Sequence, residues 1–453
     1  MRKFKINIVA LLLATLVIVP SCDFGDTNID PQNLAEVNLN LVLPSAIAQV
    51  GFNNGAIASR NPGIIMQYFE GTDAQQLGYT SYLMPDITFN NLWRTGFYGG
   101  AMKDLDLIIK QAPDQNAPYY SGIAKVLMAN SLGLATSFFG DIPYSNAFQG
   151  EDGVLSPAYD DQETIMNTVF ALLAEARTDL ATDGGDIVPT SDDLIFGGDN
   201  DAWLATAWAL EARYRLMMSA KGATNYTAAL TAVGNAFTSN DDNAYLVFDA
   251  SANGANPLNQ FHRDRSNTMV LTGYFMGQMS GDPRLALIRE PGSTAGFAPT
   301  TFWGKQDAPT VIINYAELKF IEAEALRMTG GSDAAVLAAV KDGIAANMND
   351  MGVSAEDRDN YLLGITGSDL AAIIGEKYKA LYPQNIAWDD YRRTGFPAIT
   401  PNVDGNQGLN PHNGIPRRFI YPNSEKNLNT DNVNAAIENQ NSDLMDQALW
   451  VFQ

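Results

Sequence analysis

Apolar positions recur along most of this chain with the period of a helix, and polar segments break the pattern at intervals. The first apolar feature is different: Ile8 to Val19 is an unbroken run behind Arg2, Lys3 and Lys5. From about Asn38 the helical stripes begin. In NLWRTGFYGGAMKDLDLIIK, Trp93, Phe97, Ala101, Leu105 and Ile108 fall on one face. A second helix is predicted from about Tyr119 to Phe138, with Gly140 as its C-terminal stop. A third opens at YDDQE, where Asp160 and Glu163 have capping-box spacing, and carries Ile165, Val169, Leu172, Ala176 and Leu180. A fourth starts near Asp199 with Trp203, Leu204, Trp208 and Leu216. NYAELKFIEAEALRMT and SDAAVLAAVKDGIAANM form a later pair. DLAAIIGEKYKALY follows, and Pro383 ends or bends it.

Helix pairs joined by short turns and recurring along a chain predict an all-α fold with tetratricopeptide-like stacking. Residues 38–453 are expected to form a single helical domain. Long segments rich in Gly, Asn, Thr and Pro separate the pairs: residues 71–90, 183–200, 241–268, 292–310 and 399–431. Structureless connections of that length are uncommon in compact domains and tend to be functional. The expected build is therefore a helical scaffold whose long irregular loop excursions form a ligand-binding part.

The run from Ile8 to Val19 is shorter than the roughly 20 residues that cross a bilayer core. A basic head, an apolar middle and a small residue, Ser21, give it the form of a secretory signal peptide. Cys22 follows directly, and Val-Pro-Ser-Cys resembles a bacterial lipobox. On that reading residues 1–21 are the signal peptide, Cys22 is the lipid attachment site, and residues 22–37 are an acidic tether. An ordinary signal peptide would instead leave an exported protein with one odd thiol, since Cys22 is the only cysteine. With no other cysteine, disulfides and Cys-based zinc sites are excluded. Charged residues make up 17% of the chain, against a usual share of about 25%. The formal charge is −23, and becomes −26 once Arg2, Lys3 and Lys5 are removed with the leader. Such a charge repels polyphosphate backbones and argues against nucleic acid as a partner. The polar surface must then rely on Asn, Gln, Thr, Ser and Gly, which suits a neutral, hydrogen-bonding ligand.

No H-E-x-x-H, G-x-S-x-G, Walker A or G-x-G-x-x-G pattern occurs, and His262 and His412 are the only histidines. Glu322 and Glu324 are two apart on divergent helix faces, so a hydrolase would need carboxylates that converge from distant segments. Asp141 in FGDIPY reads as a turn cap. Arg392-Arg393 and Arg417-Arg418 read as buried partners of carboxylates, with an anion clamp as the alternative. TSNDDN and FGGDNDAW read as turns and caps, with oxygen-ligated calcium as the alternative; no other cofactor is expected. Trp93, Phe97, Trp203 and Trp208 sit at helical spacing and belong to the core. Sugar capture needs an aromatic plane with amides or carboxylates beside it. GTDAQQLGYTSYLMPD offers Tyr79 and Tyr82 among Asp73, Gln75, Gln76 and Asn90, and GFAPTTFWGKQD offers Phe302 and Trp303. The candidate ligand-binding residues are therefore Tyr79, Tyr82, Trp303, Asp73, Gln76 and Phe302.

Five segments carry a wider resemblance. FFGDIPYSNAFQG, SGDPRL, NYAELKFIEAEAL, AWDDYRRTGFP and IPRRFIYPNSEKN, in that order, resemble signatures of the SusD/RagB family of surface lipoproteins from Bacteroidetes-type bacteria. They span nearly the whole mature chain. One departure is Ile386, where an acidic residue would be expected before Ala387-Trp388; it bears on a local ion pair with Arg392 or Arg393. The resemblance implies a binding protein, not an enzyme, anchored by lipid on the outer membrane at the cell surface. Its partner would be a SusC-like TonB-dependent barrel transporter, over which it acts as a lid, and its cargo an oligosaccharide. A peptide cargo, as for RagB-like members, would call for charged anchors at the peptide termini. A surface glycoside hydrolase would need two facing carboxylates, and a tetratricopeptide adaptor would have only protein partners.

Overall fold

In the chain's computed structural model, helices α1 (Leu39–Gly55) and α2 (Ile57–Ile65) lead into strand β1 (Phe69–Gly71) and helix α3 (Ala74–Thr80). A π-helix, Leu92–Ala101, and α4 (Met102–Gln111) precede the long α5 (Pro118–Phe139), α6 (Gln162–Leu180), α7 (Asn200–Met217) and α8 (Thr224–Val233). Then come β2 (Ala244–Leu246), α9 (Pro257–Asp264), β3 (Met269–Leu271), α10 (Gly273–Gln278), α11 (Leu285–Ile288) and β4 (Thr310–Ile313). The last part holds α12 (Tyr315–Met328), α13 (Asp333–Asp350), α14 (Ala355–Leu363), α15 (Leu370–Ala380), α16 (Ile386–Thr394), α17 (Asn423–Leu428) and α18 (Thr430–Asn439). The structure describes residues 37–293, 296, 302–402, 410 and 414–453. Cys22, with the leader and tether expected around it, and His412 lie outside these residues.

Helix α4 packs on α5, α5 on α6, α6 on α7, α7 on α8, α8 on α12 and α12 on α13, with α15 against the last two. Apart from the step from α8 to α12, which skips α9 to α11, the helices of this stack rest on their neighbours in sequence, as a stack of helix pairs requires. Leu39–Gln453 forms one compact unit. Two antiparallel strand pairs, β1 with β3 and β2 with β4, tie the excursions down; Phe69 faces Leu271 and Leu246 faces Thr310.

Local chemistry explains the helix ends. Gly140 closes α5 at φ 84°, a conformation that costs glycine little. Asp199 accepts the backbone N–H groups of Asp201 and Ala202 at the start of α7. At α6 the expected capping box is corrected: Asp161, not Asp160, accepts from Thr164 N at 2.7 Å. Asp160 is committed elsewhere, taking the N–H groups of Tyr144 and Ser145 at 2.9 and 2.7 Å. The stripe from Trp93 to Ile108 is buried as expected, but its backbone is not one α-helix. It runs as a π-helix to Ala101, with non-helical angles at Gly100, before α4 begins. The excursions at residues 71–90 and 241–268 also hold more order than a loop, since α3, β2 and α9 lie within them.

The family-like motifs are structural. Asp141 accepts from Gln162 N at 2.9 Å and from Asn439 Nδ2 at 2.7 Å, fixing the start of α6 and the end of α18 together. In SGDPRL the Arg284 guanidinium, with no exposed surface, grips Asp282 at 2.9 and 2.6 Å and donates to Asn347 at 2.8 Å. Arg213 on α7 grips Glu317 on α12 through two 2.7 Å bonds. Arg392 pairs with Asp389, while Arg418 donates to the Phe139 and Ser442 carbonyls at 2.7 and 3.0 Å. Arg417 donates to the Arg392 carbonyl at 2.8 Å. Ile386 is buried, and Arg393 finds its carboxylate on another helix, at Glu324. In TSNDDN and FGGDNDAW, Asp242 and Asp199 serve as caps, and no three His, Cys, Asp or Glu side chains converge among the described residues.

Burial alone would raise the Asp282 carboxyl, but the Arg284 fork outweighs it and holds Asp282 below the usual carboxylate value. A depressed carboxylate stabilises the fold above its unfolded pKa of about 3.9, and that contribution disappears as pH falls through the folded value. Asp282→Asn is expected to be less stable at pH 7 and to lose stability less steeply below about pH 4. Urea titrations of both proteins across pH 3–7 check this; parallel curves would contradict it.

A candidate ligand-binding groove

Helix α1 carries Gly51 and Gly55 four residues apart. A Cβ on either would meet Leu246 or Thr310 at 2.2 and 2.3 Å, so bare backbone here lets β2 and β4 press against α1. The same absence admits Pro257 at the head of α9, where Asn256 caps the helix by accepting from Leu258 N and Asn259 N. On α1's other flank Asn53 donates to the Gly96 carbonyl at 2.8 Å and accepts from Gln49 at 2.9 Å. Gly96 must be glycine for that approach, since a Cβ there would sit 2.6 Å from Asn53 Oδ1. Helices α1, α2, α9 and the π-helix therefore stand around a common space.

That space is an open groove of about 650 Å³, within the usual range of ligand sites. Phe52, 43% exposed, and the half-buried Phe261 supply its rings. Gln49, Asn91, Thr95 and Gln260 supply amides and a hydroxyl. Gln260 holds itself in place by donating to the Ala255 carbonyl at 2.6 Å, which leaves its side-chain oxygen to accept. The Arg60 guanidinium lies 4.2 Å from the centre of the Phe261 ring. Asp264 is the one carboxylate among the residues that line the groove, and Arg263 holds it at 2.8 Å.

None of the six residues expected to bind ligand lines this groove. Tyr79 and Tyr82 present no open ring faces: both are buried, which corrects the expectation of an exposed aromatic plane. Tyr79 lies within α3, its hydroxyl 3.1 Å from Thr88 Oγ1. Tyr82 adopts φ 63°, and its hydroxyl accepts from Asn402 N at 3.0 Å. Asp73 is the exposed N-cap of α3, and Gln76 is packed beneath Gly71. Phe302 and Trp303 meet edge to face at 4.5 Å, and Trp303 is buried. Trp303 borders a separate narrow crevice of about 50 Å³ beside Asn130 and Thr310, room for a few waters but not for a sugar ring. The Phe261 side of the groove lies in the excursion at 241–268, from which the sequence singles out no binding residue, and the Phe52 side lies where the helical stripes mark scaffold. The available signal was Phe52 and Phe261, each a lone ring amid amides, in VGFNNG and PLNQFHRDR.

A stack of helix pairs bearing an open groove of rings and amides is the build of a ligand-capture protein. The chain belongs to the SusD-like family described as starch-binding and associating with the outer membrane, which matches residues 31–422. It is similar to a SusD/RagB family protein from Bacteroides thetaiotaomicron, with 23% identity over 92% of this chain and 99% of that one and a TM-score of 0.77. A chitin-binding protein shares 22% identity over 92% of this chain and all of its own, with a TM-score of 0.80. A chitin-binding SusD homologue from Flavobacterium johnsoniae shares 21% identity over 92% and 98%, with a TM-score of 0.77. Likeness at this level establishes the fold. No curated protein matches the chain. The family is one of nutrient-binding proteins of the outer membrane.

Proposed function

We propose that this protein captures an oligosaccharide in the groove between α1, α2, the π-helix and α9. Lipid on Cys22 holds it at the cell surface, where it passes the sugar to a SusC-like TonB-dependent barrel. The observation that carries this reading is the groove's composition: two accessible rings for the apolar faces of sugars, with amides spaced around them for hydroxyl groups. The two chitin-binding relatives support a saccharide over a peptide. A glycosidase would need a second carboxylate facing Asp264, and the lining residues supply none. The ligand is therefore expected to leave intact.

Calorimetric titration against chito-, malto- and xylo-oligosaccharides and short peptides tests the reading, with each ligand recovered afterwards. Phe261→Ala is expected to weaken saccharide binding about tenfold or more, the effect of removing a central aromatic contact. Trp303→Ala should lower stability and leave the affinity within about twofold. Affinity that survives both Phe52→Ala and Phe261→Ala would remove the groove from the account. Binding confined to peptides, or a cleaved ligand, would overturn the function itself.

A further inference from the structure

The groove contains a cation that the protein does not neutralise. Arg60 is half-buried on α2, and its Nε is shielded from solvent without a hydrogen-bond partner. No acceptor or carboxylate engages any nitrogen of its side chain among the described residues; its contact is the face of Phe261. After burial, the side chains that act on it are Tyr79, which raises its pKa, and another cation, Arg265, which lowers it. Burial first, and Arg265 in addition, push the Arg60 guanidinium down to about 10. Asp264 does not relieve this, because Arg263 engages both of its oxygens at 2.8 and 3.3 Å.

This local balance runs against the whole chain, which has 51 acidic and 28 basic residues. Four buried arginines elsewhere are matched by carboxylates, Arg213 by Glu317, Arg284 by Asp282, Arg392 by Asp389 and Arg393 by Glu324, and a fifth, Arg418, by backbone carbonyls. A desolvated charge is costly unless something pairs with it. The guanidinium is a fork that fits a carboxylate or sulfate through two parallel bonds, and its stack on Phe261 holds that fork at the groove wall.

We infer that the saccharide taken by this groove is anionic, with a carboxylate or sulfate seated on Arg60 and Arg265 while neighbouring sugar faces lie on Phe52 and Phe261. The inference rests on the groove being the saccharide site, and it names the class of saccharide. A neutral chain would fill the same space but leave Arg60 uncompensated.

Titration of the purified protein with chitotriose, trigalacturonate and a chondroitin sulfate tetrasaccharide separates these possibilities. The inference predicts that at least one anionic ligand binds about tenfold or more tightly than chitotriose, the scale of a hydrogen-bonded charge pair. Trigalacturonate and chondroitin sulfate together report whether carboxylate alone suffices or sulfate is needed. The preference should shrink as sodium chloride is raised from 50 to 500 mM, and should collapse in Arg60→Gln. Arg265→Gln, at an exposed position, should reduce the preference without disturbing the fold, and Arg60→Lys should keep part of it. Equal affinity for neutral and anionic ligands, or a preference unchanged in both glutamine variants, would overturn the inference and leave oligosaccharide capture standing. Binding to no saccharide at all would overturn both.

Discussion

Alanine at Arg393 is expected to destabilise the fold by about 3–5 kcal/mol, the usual cost of leaving buried charge without its partner. Arg393 on α16 grips Glu324 on α12, with the second contact at 2.7 Å, and reaches Asp390 at 2.7 Å. Lys377 on α15 meets the other oxygen of Asp390 at 2.9 Å. All four side chains are almost without exposed surface. Burial would lower Arg393, but Glu324 and Asp390 together hold it well above its ordinary value. Removing the guanidinium strands two carboxylates, only one of which retains a cation. Urea unfolding measures the loss. Arg393→Met combined with Glu324→Gln should recover much of it, because no unpaired charge then remains on α12. A loss below about 1 kcal/mol for Arg393→Ala would show that the network is wetter than its geometry implies.

Trp203→Ala should be comparably severe, about 3–5 kcal/mol, with a local signature of its own. Trp203 has no exposed surface and meets Phe196 edge to face at 5.2 Å. Its indole donates to Asp193 Oδ2 at 2.7 Å. Asp193 in turn accepts the backbone N–H groups of Ile195, Phe196 and Gly198 at 3.0, 3.3 and 2.9 Å. One indole therefore fastens the turn before α7 to the helix stack. Hydrogen exchange should rise at residues 193–199 more than along α5, whereas a uniform rise would mean that the tryptophan acts only by filling space.

The helix stack was legible in the sequence because its signals are local. The stripe Ile165, Val169, Leu172, Ala176 and Leu180 and the stop at Gly140 depend on residues within a few positions of each other. Spacing alone marks Trp203 as core, and it has no exposed surface. Asp160 shows where that method ends: its spacing to Glu163 is right for a cap, but Ile142 pairs with it across 18 positions and claims its side chain for Tyr144 and Ser145. Tyr79 and Tyr82 are buried rather than exposed for a related reason. Polar neighbours mark a segment as loop-like, yet Asn402, 320 positions away, donates to the Tyr82 hydroxyl and the ring is enclosed. The groove is a meeting of α1, α2, the π-helix and α9, which span residues 39–264, and no window of sequence contains it. What the sequence did hold was the permission for that meeting, in Gly51, Gly55 and Gly96, where a side chain would keep the elements apart.

The central claim is that the groove between Phe52 and Phe261 takes the sugar, and a crystal structure with the tightest-binding oligosaccharide tests it most directly. The account predicts an intact saccharide with sugar faces on those two rings, hydroxyl groups hydrogen-bonded to Asn91 and to the Gln260 side-chain oxygen, and any anionic group at Arg60. A saccharide seated on Tyr79 and Tyr82, or in an opened crevice at Trp303, would contradict it.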